Sequence, residues 1–272
     1  MNQLDLHQQT LAEIEQVVRS RKDSPAQALG DITDLILRYR TSILAAMVVQ
    51  SCGAVVQSGP FAGMNYVQTS ACGPLLPKLL GCYEAELHGV IAEIVRRRYQ
   101  TIVNIGCGEG YYAVGLARLL PQARVHAYEI NLAGQQLCRE LAGLNNVADR
   151  VIVHGLCDTA QLQKLAGPGV LVWCDCEGGE GQFLDPRKVP AVSRADIVVE
   201  LHQEFDATIA DTLNHRFHTT HLIQHIAPGG RDWSQFPVLH NWKHLDQLLA
   251  MWEGRAGPTP WAWMTVRSPA AI

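Results

Sequence analysis

Two short stretches hold the residues of this 272-residue chain best suited to chemistry: Asp175-Cys176-Glu177-Gly178-Gly179-Glu180 and Glu200-Leu201-His202. Each closes an apolar run, Val170 to Asp175 and Ile197 to Leu201, that reads as a buried strand. Acids at the carboxyl ends of parallel strands lie where open α/β sheets bind ligands. Crowding carboxylates into one partly buried sheet edge costs stability, so a functional cause is preferred here to a run of surface acids. His202 is the expected proton acceptor, because imidazole titrates near neutral pH without special tuning. Glu200 could orient that ring or act as the base itself. Asp175 and Glu200 also offer oxygens that suit magnesium, although His202 suits that ion less and the metal is not favoured.

A third stretch, Thr101 to Asn131, offers these acids a ligand. Ile102, Val103 and Ile105 make a short buried strand, and Gly106-Cys107-Gly108-Glu109-Gly110 follows, where a chain must turn and let a ligand approach its backbone. Tyr111 to Leu120 is a helix stopped by Pro121, and Arg124 to Ile130 is strand-like again and carries Glu129 near its end. This is half of a dinucleotide-type βαβ unit. Its Gly-x-Gly-x-Gly spacing departs from the Gly-x-Gly-x-x-Gly of nicotinamide and flavin sites. A carboxylate at Glu129 can accept two hydroxyl donors at once and would repel a phosphate. Asn104, in the first strand, can hydrogen-bond the loop but brings no negative charge to the site. The alternative reading is a glycine-rich turn of some other α/β domain.

The stretch resembles the first motif of class I S-adenosylmethionine-dependent methyltransferases. That resemblance implies that the backbone of Gly106, Cys107, Gly108 and Gly110, with Tyr111, lies against S-adenosyl-L-methionine, and that Glu129, with Ile130 beside it, holds the ribose. It further implies that Cys157 and Asp158, at the end of a third strand from Arg150 to Cys157, edge the adenine. Asp158 equally fits the N-cap of a helix from Thr159 to Ala166. Tyr83 and Glu84 belong to a segment that in related enzymes folds over the cofactor; a solvated first helical turn explains Glu84 as well. The pattern D-x-E-G-x-E from Asp175 to Glu180, with Glu200-Leu201-His202, resembles the FkbM-type branch, known for O-methylation in natural-product and glycan pathways. The resemblance covers roughly residues 80 to 205. Asp175, Glu177, Glu200 and His202 would then converge beside the sulfonium, Asp175 touching the cofactor too.

Methyl transfer needs donor, methyl and acceptor in line, water excluded, and a proton acceptor if the acceptor is a hydroxyl. The reading is therefore an enzyme that O-methylates a small-molecule, sugar or natural-product hydroxyl. Carboxylate or N-methylation of a peptide or small molecule is the alternative, and a carboxylate, already ionised, needs no base. A non-catalytic cofactor-binding module is a further alternative, favoured by Asn104 and opposed by the convergent acids. In place of the Asp/Asn-Pro-Pro-aromatic motif of amino-methylating nucleic-acid enzymes, the chain has Asp175-Cys176-Glu177-Gly178, and Cys176 lacks the proline of cytosine-C5 enzymes.

The elements that must position these residues follow from patterning. Hydrophobic residues make up 47% of the chain, enough for a full core. The expected fold is α/β, a Rossmann-like doubly wound seven-stranded mostly parallel sheet over residues 81–272, with a helical N-terminal extension over residues 1–80 as lid or dimerisation region. Leu4 to Arg21 and Ile32 to Val56 have helical spacing, broken at Ser24-Pro25. The second is apolar nearly all round and must be covered, so a homodimer is expected. Gly53 to Gly81 reads as a lid or ordered linker with Phe61, Asn65 and Tyr66. Cys82 to Leu87 opens the helix before the first strand. Leu132 to Leu144, Asp206 to Arg216 and Asn241 to Trp252 read as helices, Thr219 to Ile226 and Trp261 to Val266 as strands. Gly229 to Pro237, with Arg231, Trp233 and Phe236, is a loop that could border an acceptor pocket. The formal charge of -4 gives no basic footprint for nucleic acid. With no leader pattern in MNQLDLHQQTLAEIEQ and no bilayer-length apolar run, a soluble cytoplasmic protein is expected, without membrane partners. The eight scattered cysteines read as free buried thiols, and the histidines from His215 to His225 as solvated or core-edge residues.

Overall fold

The computed structural model describes residues 3–255 and 257–267; the outer ends of the two expected units, residues 1–2 and 268–272, lie outside them. The chain opens on two helices, α1 (Gln3–Ser20) and α2 (Pro25–Cys52). The second starts at Pro25 rather than Ile32, because proline at the first helical turn lacks only an N–H that would go unused and has φ already set. The expected loop from Gly53 to Gly81 contains a helix, α3 (Leu75–Leu80), ended by Gly81 in the left-handed conformation. A short 3-10 turn, Ala85–Leu87, leads into α4 (His88–Arg97), so the helix before the first strand begins later than Cys82.

Strands and helices then alternate: β1 (Thr101–Ile105), α5 (Tyr111–Leu119), β2 (Arg124–Tyr128), α6 (Leu132–Leu144), β3 (Val151–His154), α7 (Thr159–Leu165), β4 (Val170–Cys174), α8 (Glu180–Phe183), β5 (Asp196–Glu200), α9 (Ile209–Phe217), β6 (His221–Ile226), α10 (His244–Leu249) and β7 (Trp261–Val266). Helix α9 starts after Asp206, whose carboxylate binds the Thr208 N–H and hydroxyl in a turn, and α10 is shorter than Asn241 to Trp252. The sheet order is β3-β2-β1-β4-β5-β7-β6. Neighbours from β3 through β5 are parallel, and β7 runs antiparallel to both β5 and β6. This is the doubly wound Rossmann-like sheet that the patterning predicts.

Alternation along each strand divides the core. Ile102, Val125, Leu171 and Trp173 face one layer, with buried residues of α4, α5 and α6. Val103, Ile105, Val172, Cys174 and Val199 face the other, with Leu162, Phe183 and Leu213. Trp173 stacks on Tyr112 at 4.0 Å between ring centroids, joining β4 to α5. Leu44, Ala45 and Val48 of α2 share the first core with Phe61, Met64 and Tyr66. Arg40 ties α2 to α10 by a paired contact with Asp246 at 2.8 and 2.6 Å. The eight cysteines are free thiols, five of them buried, with Cys72 exposed and Cys52 and Cys176 between. His221 is buried against the Ala195 carbonyl and His225 is exposed. Among the described residues no helix is long and apolar enough to cross a membrane.

Candidate functional site

The order reverses between β1 and β4, and the crevice outside the strand ends there is the expected ligand position. The loop leaving β1 has positive φ at Gly106 (77°), Gly108 (53°) and Gly110 (95°). A Cβ at Gly106 would overlap the Asp175 carbonyl, so glycine there is a packing requirement as well as a backbone one. Past β2, which ends at Tyr128 rather than Ile130, the Glu129 carboxylate accepts the Gly108 N–H at 2.8 Å and the Asn131 N–H at 2.7 Å. Two backbone donors fix its direction and leave lone pairs for further donors.

A cavity of about 610 Å³ opens above these ends. Of the residues singled out in the sequence, Tyr83, Asn104, Gly106, Cys107, Gly108, Tyr111, Glu129, Ile130, Cys157, Asp175, Glu177, Glu200 and His202 line it. Gly110, Glu84 and Asp158 do not. Gly110 instead starts α5, where a Cβ would press on Cys138 Sγ at 2.7 Å. Asp158 is the N-cap of α7, accepting the Gln161 N–H at 2.7 Å in a reciprocal capping box, so the capping reading is the observed one. Glu84 is neither solvated nor a cavity contact: it is buried in a left-handed conformation (φ 47°), bonded to the Tyr112 hydroxyl and Arg255. The Gly229 to Pro237 loop does not border the cavity either. Arg231 is held by Glu86 at 2.6 Å and Glu253 at 2.7 Å, and Phe236 packs into the core.

The acids and the histidine do meet. Nδ1 of His202 lies 2.8 Å from Glu180, and its Nε2 lies 3.2 Å from Glu200, 3.5 Å from Glu177 and 3.7 Å from Asp175. Glu177 is an exception to the expected burial at 71% side-chain exposure, and it too has a left-handed backbone (φ 54°). Glu180, which sequence reasoning left outside the site, also accepts the Cys176 N–H at 3.2 Å and the Gly178 N–H at 3.3 Å, folding the acidic turn around the imidazole. Its place in D-x-E-G-x-E was the available signal. Arg255, bonded to Glu200, Glu84, Glu253 and Thr259, had none.

This setting corrects the expectation of an untuned imidazole. Burial opposes the charged ring, but hydrogen bonds and charge from Glu180 and Glu200, with Asp175 behind them, push the His202 pKa up to about 11. Burial raises the Glu200 carboxyl, yet His202, Asp175 and Arg255 together hold it down at about 2. Asp175 goes the other way, raised well above the carboxylate range by enclosure and by Glu200. Against its burial, the His202 hydrogen bond also holds Glu180 below the usual carboxylate value, so the free site favours an imidazolium between two carboxylates. Asp175, Glu200 and His202 also place one ligand atom each within 4.8 Å of one another, a set that could take a metal ion once His202 gives up its proton.

The site's acceptors fit S-adenosylmethionine in two respects. Asn104 lines the cavity at 2% exposure with its buried Oδ1 lacking a partner among the described residues, and Glu129 retains acceptor capacity at a strand end. No family model matches the chain. A release factor glutamine methyltransferase from Synechocystis is 42% identical over 52 residues, 19% of this chain and 17% of that protein's length. Among solved structures, an O-methyltransferase from Bacillus cereus in complex with S-adenosylhomocysteine is similar at 13% identity and a TM-score of 0.48, covering 84% of this chain and 90% of that one. An O-methyltransferase of tomaymycin synthesis from Streptomyces achromogenes gives 17% identity and a TM-score of 0.48, over 70% and 82% of the two chains.

Proposed function

We propose that this chain is an S-adenosylmethionine-dependent methyltransferase acting on the hydroxyl of a small molecule, sugar or natural product. The observation that carries the reading is the convergence, around one cavity, of the glycine loop, the ribose-type acid Glu129, the unpartnered Asn104 oxygen and the His202 cluster. When bound, the cofactor would supply an electrophilic methyl group. Gly106 and Gly108 let it approach their backbone, Glu129 receives its ribose hydroxyls, and Asn104 offers a neutral acceptor. Tyr83 and Tyr111 wall the cavity against water. His202 takes the acceptor's proton at Nε2 after losing its own; in the loaded cavity the imidazolium shares its acids with a second cation, which favours that loss. The same reading takes the branch as FkbM-like, the protein as cytoplasmic and a homodimer, and residues 1–80 as a lid or dimerisation region.

The test is thermal unfolding against increasing S-adenosylhomocysteine. At 100 times the dissociation constant the ligand should add about 2.7 kcal/mol, a rise of several degrees. No rise would remove the reading, and Glu129→Ala should abolish most of any rise seen. A metal-assisted variant rests on the three ligand atoms of Asp175, Glu200 and His202. Activity lost in chelator and restored by magnesium would establish it; indifference to chelator would remove it. Turnover that survives His202→Ala would favour a carboxylate acceptor over an alcohol.

A further inference from the structure

Glu109, the charged member of the glycine loop, takes no part in the chemistry above, yet it is 1% exposed. Its carboxylate accepts from the Tyr66 hydroxyl at 2.9 Å, the Ser70 hydroxyl at 2.5 Å, the N–H groups of Ala71 (3.1 Å) and Cys72 (3.2 Å), and the Lys78 ammonium. Every one of these donors lies between residues 66 and 78. Lys78, 2% exposed, gives its other hydrogens to Ser70 Oγ at 3.0 Å and to the Cys72 carbonyl, so both charges are fully partnered.

Residues 67–74 contain no helix or strand of their own. The segment before them is fastened at Asn65, which exchanges hydrogen bonds with Asn145 and donates to the Leu144 carbonyl. Their own polar anchorage to the glycine loop runs through Glu109. Cys72, Gly73, Lys78 and Glu109 are at the same time part of the cavity wall, and Cys72 Sγ sits 3.2 Å from where a Gly108 Cβ would be. A buried ion pair is a poor device for stability alone, since apolar side chains of similar volume do as well or better. It is a good device for fixing one register, because removing either partner leaves a charge buried without compensation.

We propose that Glu109 and Lys78 form a latch, a positioning pair that holds residues 66–74 as a strap against the glycine loop and closes that side of the cofactor cavity. The pair acts through the strap and touches no reacting atom. The assignment to a cofactor rests on the methyltransferase reading; the latch itself rests on the contacts just given.

The experiment compares wild type with Glu109→Gln, Lys78→Met and the milder Ser70→Ala, which keeps both charges and removes one hydroxyl that donates to Glu109 and accepts from Lys78. Two quantities are measured well below the melting temperature: the dissociation rate constant of S-adenosylhomocysteine and amide hydrogen exchange across residues 66–74. Each charge variant should release the ligand about tenfold faster or more, the loss expected for a charge-assisted hydrogen bond. Exchange should quicken in the strap while β1 and β5 stay protected, with Ser70→Ala changing both in the same direction by less. A lower melting temperature with unchanged release and unchanged strap exchange would overturn the latch and leave a structural ion pair. Should the charge variants fail to fold, Ser70→Ala decides by the same two readouts. If wild type binds no S-adenosylhomocysteine, the cofactor reading falls, and strap exchange in the free variants decides the latch alone.

Discussion

At His202 the local sequence and the folded environment point in opposite directions, and the pH behaviour tells them apart. A histidine raised to about 11 contributes stability that is complete below its ordinary value of 6.5 and is lost as pH rises through about 11. Glu200, depressed to about 2, contributes stability present above its ordinary 4.5 and lost as pH falls through about 2. The cluster is thus intact across the neutral range. The melting-temperature difference between wild type and His202→Gln should be flat from about pH 5 to 6.5 and shrink steadily as pH rises from there towards about 11, whereas an untuned histidine, titrating alike in folded and unfolded chains, would give no pH dependence. Measured in chelator, kcat/KM, which reports the free enzyme, should lack a break near 6.5 and show it on the alkaline side. In Glu180→Gln, which keeps an acceptor but loses the charge on Nδ1, that break should move back towards neutrality.

Among the elements, the loop from Cys157 into α7 offers the cleanest division between structure and binding. Asp158 is committed to its capping box, so Asp158→Ala should cost about 1 kcal/mol in urea unfolding. A weakening of S-adenosylhomocysteine binding larger than that of stability would instead put its carboxylate on the adenine. The glycine loop should behave differently. Gly106→Ala meets both an unfavourable φ of 77° and the Asp175 carbonyl, so it should displace the acidic turn after β4 and lower turnover and ligand affinity together. If Gly106→Ala binds and turns over as wild type does, the close approach of the two loops is not needed for function.

The molecule as a whole leaves an apolar face on its N-terminal helices. Leu11 and Val18 of α1 and Leu29, Ile36 and Met47 of α2 are exposed, while α2 packs into the core through Leu44, Ala45 and Val48. This is the face the proposed homodimer would cover. Sedimentation should give twice the 29.9 kDa chain mass, and Leu29→Glu with Ile36→Glu should return a monomer that still binds ligand. A wild-type monomer at working concentration would remove the dimer.

What the sequence determined by itself was the part of this protein governed by short-range physics. Apolar runs of strand length, the glycine spacing after Ile105, the proline stop at Pro121 and the amphipathic period from Leu132 to Leu144 each constrain a few neighbouring residues, and together they admit a doubly wound α/β sheet with acids at its ligand-binding edge. The tertiary structure decided what those acids are. Glu84 read as a cofactor contact or a solvated helix-start acid, and is instead buried in contact with Arg255, 171 positions away. His202 looked neutral, and is held charged by Glu180, 22 positions away. Lys78 and Glu109 carried no local signal, since each is an ordinary charged residue until the fold buries both. Charge state depends on distances through space and on exclusion of water, and neither is set until strands and loops remote in sequence close on one another.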